Sequence, residues 1–335
     1  MGKAMLSLFF IAVSLIALYI ITFVSYIILY IEELFFDPSS LAFIPLRPQM
    51  LFIKSIGSFV FLMLMPLSLI FGFIIWILFS INRWRGKNNQ LRQDEIKNPK
   101  ICVALTAYND EDPIYDAVKD FLFQQNVVKV IVVDNNSTDQ TAKRASDAGA
   151  QVVKEARQGY GWACIRGLKE ALKCSEANII ALCEGDKTFR AYDLKKMVPY
   201  LDNVDMVVGS RTTQELLAQK SQLDWFYVWG NLFLAKLIQI KFWDVKHWGR
   251  VRLTDVGCTF RVIRREALEK IIDHLNVGGD HFSPHMIMVA IDKGLKVVEV
   301  PITFRERVGK SKGAGSNKRK AIVIGLKMLW HILTY

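Results

Sequence analysis

The sequence predicts an α/β domain built on a mostly parallel, Rossmann-like sheet and tethered to a membrane. Three observations carry that reading. From residue 100 onward, short apolar runs alternate with helix-like segments, as in strands joined by crossover helices. Two uncharged stretches precede them, Met5 to Ile31 and Ile56 to Ile81, each longer than the roughly 20 residues that span a bilayer core. The charge is also unevenly divided. In residues 1–82 three bases (Lys3, Arg47, Lys54) balance three acids (Glu32, Glu33, Asp37), so the whole net charge of +11 lies in the remainder.

The two apolar stretches read as retained membrane helices, because a cleaved signal would be shorter and would end in small residues. Arg83, Arg85, Lys87 and Arg92 crowd the end of the second stretch, whereas the loop between the two is acid-balanced, so the positive-inside tendency puts both ends and the following domain in the cytoplasm. A chain that is 52% hydrophobic, with a mean hydropathy of +0.22, excludes a wholly soluble protein. The basic balance of the domain favours anionic head groups and phosphate-bearing substrates rather than nucleic acid. Five cysteines without a CxxC pair give neither a zinc ribbon nor a disulfide framework. The expected organisation is two membrane helices over 1–82, a linker over 83–99, the α/β domain over 100–312 and a membrane-interface helix over 313–335.

Within the domain, strands are expected at Lys100–Leu105, Val127–Val133, Gln151–Lys154, Asn178–Cys183 and Asp205–Ser210. The first leads into the loop Thr106 to Pro113, and Pro113 opens a helix to Gln125. The second ends in Asp134–Thr141, where Ser137 or Thr138 can cap a helix that stops at Gly149. Arg157-Gln-Gly-Tyr-Gly161 starts the helix to Leu172, with two glycines where a backbone must approach something closely. The fourth strand runs into Glu184-Gly185-Asp186. Such a turn at a strand end can present two carboxylates to one ligand, and Mg2+ or Mn2+ takes oxygen ligands together with substrate phosphates.

This ordered series of loops, Ala107-Tyr-Asn-Asp110, Asp134-Asn-Asn-Ser-Thr-Asp139, Arg157-Gln-Gly-Tyr-Gly161, Glu184-Gly-Asp186 and Gly209-Ser-Arg211, resembles the family-2 glycosyltransferases of GT-A fold. The polyprenyl- and dolichol-phosphate sugar synthases are the most similar branch. The resemblance covers about residues 100–312. It implies that Ala107, Tyr108, Asn109 and Asp110 surround the nucleotide, that Asp134 and Asn135 contact its base, and that Arg157 and Gln158 lie near it. Asn135 stands where the family commonly has an acid, and Asn136 where it has Gly. The Glu184-Gly185-Asp186 turn matches the DxD motif with Glu in the first place, which implies that Asp186 binds a divalent metal on the donor diphosphate and that Glu184 contacts ribose or metal.

Farther on, Leu223–Trp243 is too broken by charge for a span; it reads either as an interfacial helix or as a core helix. Thr254-Asp-Val-Gly-Cys-Thr-Phe-Arg261 resembles the family's T-D-x-x-S-G-F-R, with Cys258 for Ser and Thr259 for Gly. Asp255 stands where inverting members can place a base, which a hydroxyl acceptor needs and an anionic phosphate does not. Arg211, Arg261, Arg305, Arg307 and Lys312 fall near loop ends and suit an acceptor phosphate. Arg307-Val-Gly-Lys-Ser-Lys312 resembles the family's R-x-G-x-S-K. His281 and His285 have i, i+4 spacing but no recognisable third ligand, so they read as structural. Lys318–Tyr335 is short for a span and reads as an in-plane helix with Lys320, Lys327, His331 and Thr334 on a narrow polar face.

The resulting expectation is a metal-dependent inverting glycosyltransferase that moves one sugar from a UDP- or GDP-linked donor to a polyprenyl phosphate at the cytoplasmic face of a membrane. A hydroxyl acceptor on a glycolipid or polysaccharide is the alternative, and a catalytically silent nucleotide-binding scaffold is the rival of another class.

Overall fold

A computed structural model describes residues 92–218, 221, 223–242, 251–309 and 317–335. The two membrane helices expected over 1–82, most of the linker and Lys312 lie outside the described residues. Among the described residues, no helix is long and apolar enough to cross a membrane.

Strand β1 (Ile101–Ala107) is buried at every position, as a strand covered on both faces must be. It leads through α1 (Glu111–Leu122) to β2 (Val127–Asp134), and then through α2 (Thr141–Asp147) to β3 (Gln151–Lys154). The next crossover, α3 (Tyr160–Leu172), returns to β4 (Ile179–Glu184) on the far side of β1. With right-handed crossovers, that reversal puts α3 on the opposite face from α1 and α2. Gly167 lets α3 sit close: a Cβ there would meet Ala104 Cβ at 3.0 Å. A short helical stretch containing α4 (Leu194–Met197) precedes β5 (Met206–Ser210), and α5 (Trp225–Lys241) follows it. Then come β6 (Arg261–Arg264), α6 (Arg265–Ile271), α7 (Phe282–Asp292), β7 (Val297–Pro301) and α8 (Lys318–Thr334).

The sheet order is β3-β2-β1-β4-β6-β5-β7, with β6 antiparallel to both neighbours. Strand β6 is not among the strands expected from the sequence. Its four residues, Arg-Val-Ile-Arg, look like a surface segment, yet all are buried. The two arginines are accommodated because their guanidiniums donate to backbone carbonyls: Arg261 to Cys258 O and Arg264 to Leu201 O at 2.8 Å. Helix α2 begins at Thr141 without a side-chain cap, so neither Ser137 nor Thr138 caps it. The Ser137 hydroxyl instead accepts the Asn109 N–H at 3.0 Å.

The strand order reverses between β1 and β4, and ligands of open α/β sheets bind in the crevice at such a point. Ala107 and Glu184 end those two strands, and the Gly185 N–H donates to Thr106 O at 2.9 Å.

Helices α5 and α8 lie side by side and run in the same direction. At their N-terminal ends Lys318 Nζ is 3.5 Å from an Asp224 carboxylate oxygen, and at the other end Lys241 Nζ donates to Ile332 O at 2.8 Å. Helix α5 buries Leu234, Ala235 and Ile238, as the core-helix reading of this segment expects, and exposes Trp225, Trp229 and Phe233 on its other face. The narrow polar face expected for α8 needs correction at His331. That residue turns inward, where its Nε2 is 3.0 Å from His285 Nδ1, while Ile322, Leu326 and Trp330 are exposed.

Candidate active site

A cavity of about 740 Å³ opens at the β1/β4 crevice and extends between α5 and α8. Its inner end holds Asp110, Glu184, Asp186, Arg211 and Arg307, and its outer walls are apolar, among them Phe226, Phe233, Leu234, Ile324 and Leu329.

Asp186 is buried, at 1% exposure. Its Oδ1 accepts the Thr188 N–H at 3.0 Å and the Thr188 hydroxyl at 2.6 Å, which fixes the carboxylate plane. Its Oδ2 accepts no hydrogen bond among the described residues but stands 2.8 Å from an Arg307 guanidinium nitrogen. The same guanidinium reaches Asp110 Oδ1 at 3.4 Å, linking the β1 loop to the turn after β4. Burial and the Asp186 charge push the Glu184 carboxyl up to about 7. Its Oε1 accepts the Thr259 hydroxyl at 2.6 Å.

Whether these residues suit a divalent cation can be judged from the donor set. Hard cations that ride on a diphosphate need only one or two protein carboxylates. A buried carboxylate oxygen with no hydrogen bond, beside a second carboxylate, fits that requirement. Among the described residues no group of three histidine, cysteine or acidic side chains could hold a metal by itself, so the remaining ligands would have to be phosphate and water.

At the same end of the cavity Arg211 forms a bidentate pair with Asp255, with Nε to Oδ2 at 2.7 Å and Nη2 to Oδ1 at 2.9 Å. The Arg211 and Gly257 backbone N–H groups add bonds of 3.1 and 3.0 Å. Burial alone would raise the Asp255 carboxyl, but Arg211 and these donors outweigh it and hold it below the usual carboxylate range. Glu299 supports the loop from beneath by accepting the Thr254 and Asp255 N–H groups at 2.7 and 2.8 Å.

Of the nucleotide-side residues expected from sequence, Ala107, Tyr108, Asp110, Asn135, Gln158 and Glu184 line the cavity. Asn109, Asp134 and Gly185 shape its loops instead. Asn109 and Asn136 hold left-handed backbone, φ 51° and 64°, which asparagine tolerates better than most residues, so Asn136 does the work of the family's glycine. Asn135 donates to Glu155 O and Arg157 O at 3.0 and 2.8 Å and accepts the Gly159 N–H at 2.9 Å. An ionised aspartate could not make the first two bonds, which accounts for the amide here.

Three expected residues turn away from the cavity. Arg157 lies over the Trp162 ring at 4.0 Å and pairs with Glu155 at 3.0 Å. Arg261 is in the interior at 1% exposure, its guanidinium folded back onto Cys258 O. Arg305 faces Asp120, 3.9 Å away, on the α1 side. Of the proposed acceptor-phosphate set, Arg211 and Arg307 line the cavity, while Arg261 and Arg305 do not. Asp255 is not in the wall either, although its partner Arg211 is.

Sequence reasoning missed Thr259, Tyr160, Ser283 and Lys320, all of which line the cavity. His331 joins His281 and His285, with ring centroids 5.0 Å apart in each case.

Residues 102–272 match the family model for glycosyl transferase family 2. An uncharacterized glycosyltransferase of Mycobacterium bovis is 31% identical over 210 residues, covering 62% of this chain and 86% of the relative. A dolichyl-phosphate hexose transferase of Haloferax volcanii is 27% identical over 216 residues, 63% of this chain and 86% of that protein. Among solved structures, glucosyl-3-phosphoglycerate synthase from Mycobacterium tuberculosis, in complex with Mn2+, UDP and glucosyl-3-phosphoglycerate, superposes with a TM-score of 0.51 at 18% identity. That match covers 70% of this chain and 79% of the other, and it supports the GT-A fold. The chain belongs to glycosyl transferase family 2 and is a glycosyltransferase.

Proposed function

We propose that the chain transfers a monosaccharide from a UDP- or GDP-linked donor to a polyprenyl phosphate at the cytoplasmic face of a membrane, with Mn2+ or Mg2+. The observation that carries this reading is the two-part cavity, with carboxylates and arginines at its inner end and apolar walls from α5 and α8 at its outer end. A lipid phosphate has that same division, an anionic head on an apolar chain. The solved relative that binds Mn2+ and UDP and the relative named for a dolichyl-phosphate acceptor support the donor and acceptor halves respectively.

On this reading Asp186, with Glu184 beside it, holds the cation, which when bound would neutralise charge on the leaving diphosphate. Arg307 gives up its contact with Asp186 as the donor enters and is then placed to meet phosphate oxygens. Arg211, fixed by Asp255, adds a second guanidinium on the acceptor side. A phosphate oxygen already carries charge, so its attack on the anomeric carbon needs no proton removed. Asp255, with both oxygens occupied and its carboxyl held low, is suited to orienting Arg211 rather than to taking a proton.

The test is nucleotide release by the purified full chain from a panel of UDP and GDP sugars, with Mn2+ and a short polyprenyl phosphate. Release dependent on both cation and lipid phosphate is expected; none from any donor would end this reading.

A further inference from the structure

Two departures from the family's motifs meet in space. Glu184 stands where the motif has Asp, and Thr259 where it has Gly. Strands β4 and β6 pair antiparallel from Ile179↔Arg264 to Leu182↔Arg261, and extending that register by two residues sets Thr259 opposite Glu184. A glutamate is one methylene longer than an aspartate, and the Thr259 hydroxyl, 2.6 Å from Oε1, holds the end of that longer side chain.

Behind Thr259 the contacts continue. The Tyr160 phenol oxygen is 2.6 Å from Thr259 Oγ1 and 3.3 Å from Ser283 Oγ. The Thr259 hydroxyl donates to Glu184 Oε1, and a hydroxyl has one proton to give, so the rest of the direction follows. Thr259 gives its single proton to Glu184, Tyr160 gives its proton to Thr259, and Ser283 donates to Tyr160. The chain draws on α7, α3 and the segment that leads into β6, and ends on β4. It is rooted where backbones touch: the Gly161 N–H donates to Gly278 O at 2.9 Å, and a Cβ at Gly161 would meet Val277 O at 2.1 Å. Tyr160 is further held by edge packing on Phe282, with ring centroids 6.3 Å apart.

We propose that Thr259 and Tyr160 are positioning residues for Glu184, fixing Oε1 so that Oε2 meets the donor, and that Glu184 and Thr259 act as one coupled pair. This rests on the reading of the cavity as a donor site. The expected mark is non-additivity. Glu184→Asp alone falls short of Thr259, and Thr259→Gly alone leaves a long carboxylate unheld, whereas the double substitution recreates the family's own combination and loses less than the two single losses together.

The experiment is calorimetry of UDP and of GDP, each with Mn2+, on the full chain and its variants, alongside donor KM and kcat. Thr259→Val keeps the shape of the side chain and removes the proton; it should weaken nucleotide binding about tenfold, raise donor KM more than it lowers kcat, and be restored by Thr259→Ser. Should the valine variant not fold, Tyr160→Phe keeps the ring packing and should weaken binding about threefold. Wild-type nucleotide affinity in Thr259→Val, or strict additivity in the cycle, overturns the proposal and leaves the functional reading standing. A wild-type chain that binds neither nucleotide overturns both.

Discussion

Two arginine–aspartate pairs, each giving its arginine to the inner end of the cavity, are built differently. Arg211 and Asp255 are locked: two guanidinium bonds and two backbone N–H donors use both carboxylate oxygens, and Glu299 holds the loop in place. Arg307 and Asp186 are open: one carboxylate oxygen is tied to Thr188, and the other touches Arg307 at 2.8 Å without accepting a hydrogen bond. A pair held on every side serves geometry, whereas a buried carboxylate with one uncommitted oxygen can exchange its partner for a cation. The contrast separates the carboxylate that meets the donor from the one that only orients an arginine.

The largest expected effect is at the open pair. Asp186→Asn should lower turnover about a thousandfold, as loss of a transition-state charge partner does, while the thermal midpoint moves little. Activity and unfolding measured on one preparation check both halves. The locked pair should respond in the opposite sense. Asp255→Asn leaves Arg211 buried against a neutral partner and should cost roughly 3 kcal/mol of stability. If Asp255 were a catalytic base, the same substitution would abolish turnover with little loss of stability, so denaturant unfolding of this variant can break the comparison.

A smaller effect sharpens it. Removing the guanidinium beside Asp186 with Arg307→Gln should tighten Mn2+ binding in the absence of nucleotide by about threefold, whereas Arg211→Gln, whose guanidinium is committed to Asp255, should change it less. Mn2+ titration followed by electron paramagnetic resonance reads both.

The smallest effect comes from the histidines that fasten α8, the outer wall of the cavity. His285 Nε2 is 3.2 Å from His274 O, so it carries the proton there and Nδ1 accepts from His331. Burial, then His285, His281 and Lys241, hold His331 down to about 4. A histidine lowered on folding favours the neutral form, so its contribution is fully present above the unfolded value near 6.5 and is lost as pH falls from there toward 4. The thermal midpoint should therefore be lower at pH 5 than at pH 7.5, and His331→Gln should flatten that dependence.

Most of the fold was legible because β1, β2, β4 and β5 are apolar runs, buried on both faces and bounded by polar turns. Strand β6 was not, since Arg261 and Arg264 carry the signature of a surface segment and only the carbonyls they meet reconcile them with burial. The same fact explains the uneven reading of the site. The order of loops pointed to Glu184 and Asp186, and the Arg307–Lys312 motif to Arg307, but charge alone does not say which way an arginine turns, so Arg261 and Arg305 were grouped with Arg307 although the cavity wall excludes them. Thr259 could be matched to Glu184 only once β6 was known to pair with β4. His331 was assigned to a polar face by helical spacing, which carries no information about His285 on α7 or His281 just before it.

Product mass distinguishes a phosphate acceptor from an alcohol. The full chain would be given Mn2+, its nucleotide sugar and an equimolar mixture of a polyprenyl phosphate and the corresponding free polyprenol. The phosphate lipid should gain the mass of one sugar residue and the alcohol none, as the proposed phosphate acceptor requires. Glycosylated polyprenol beside untouched polyprenyl phosphate would contradict it.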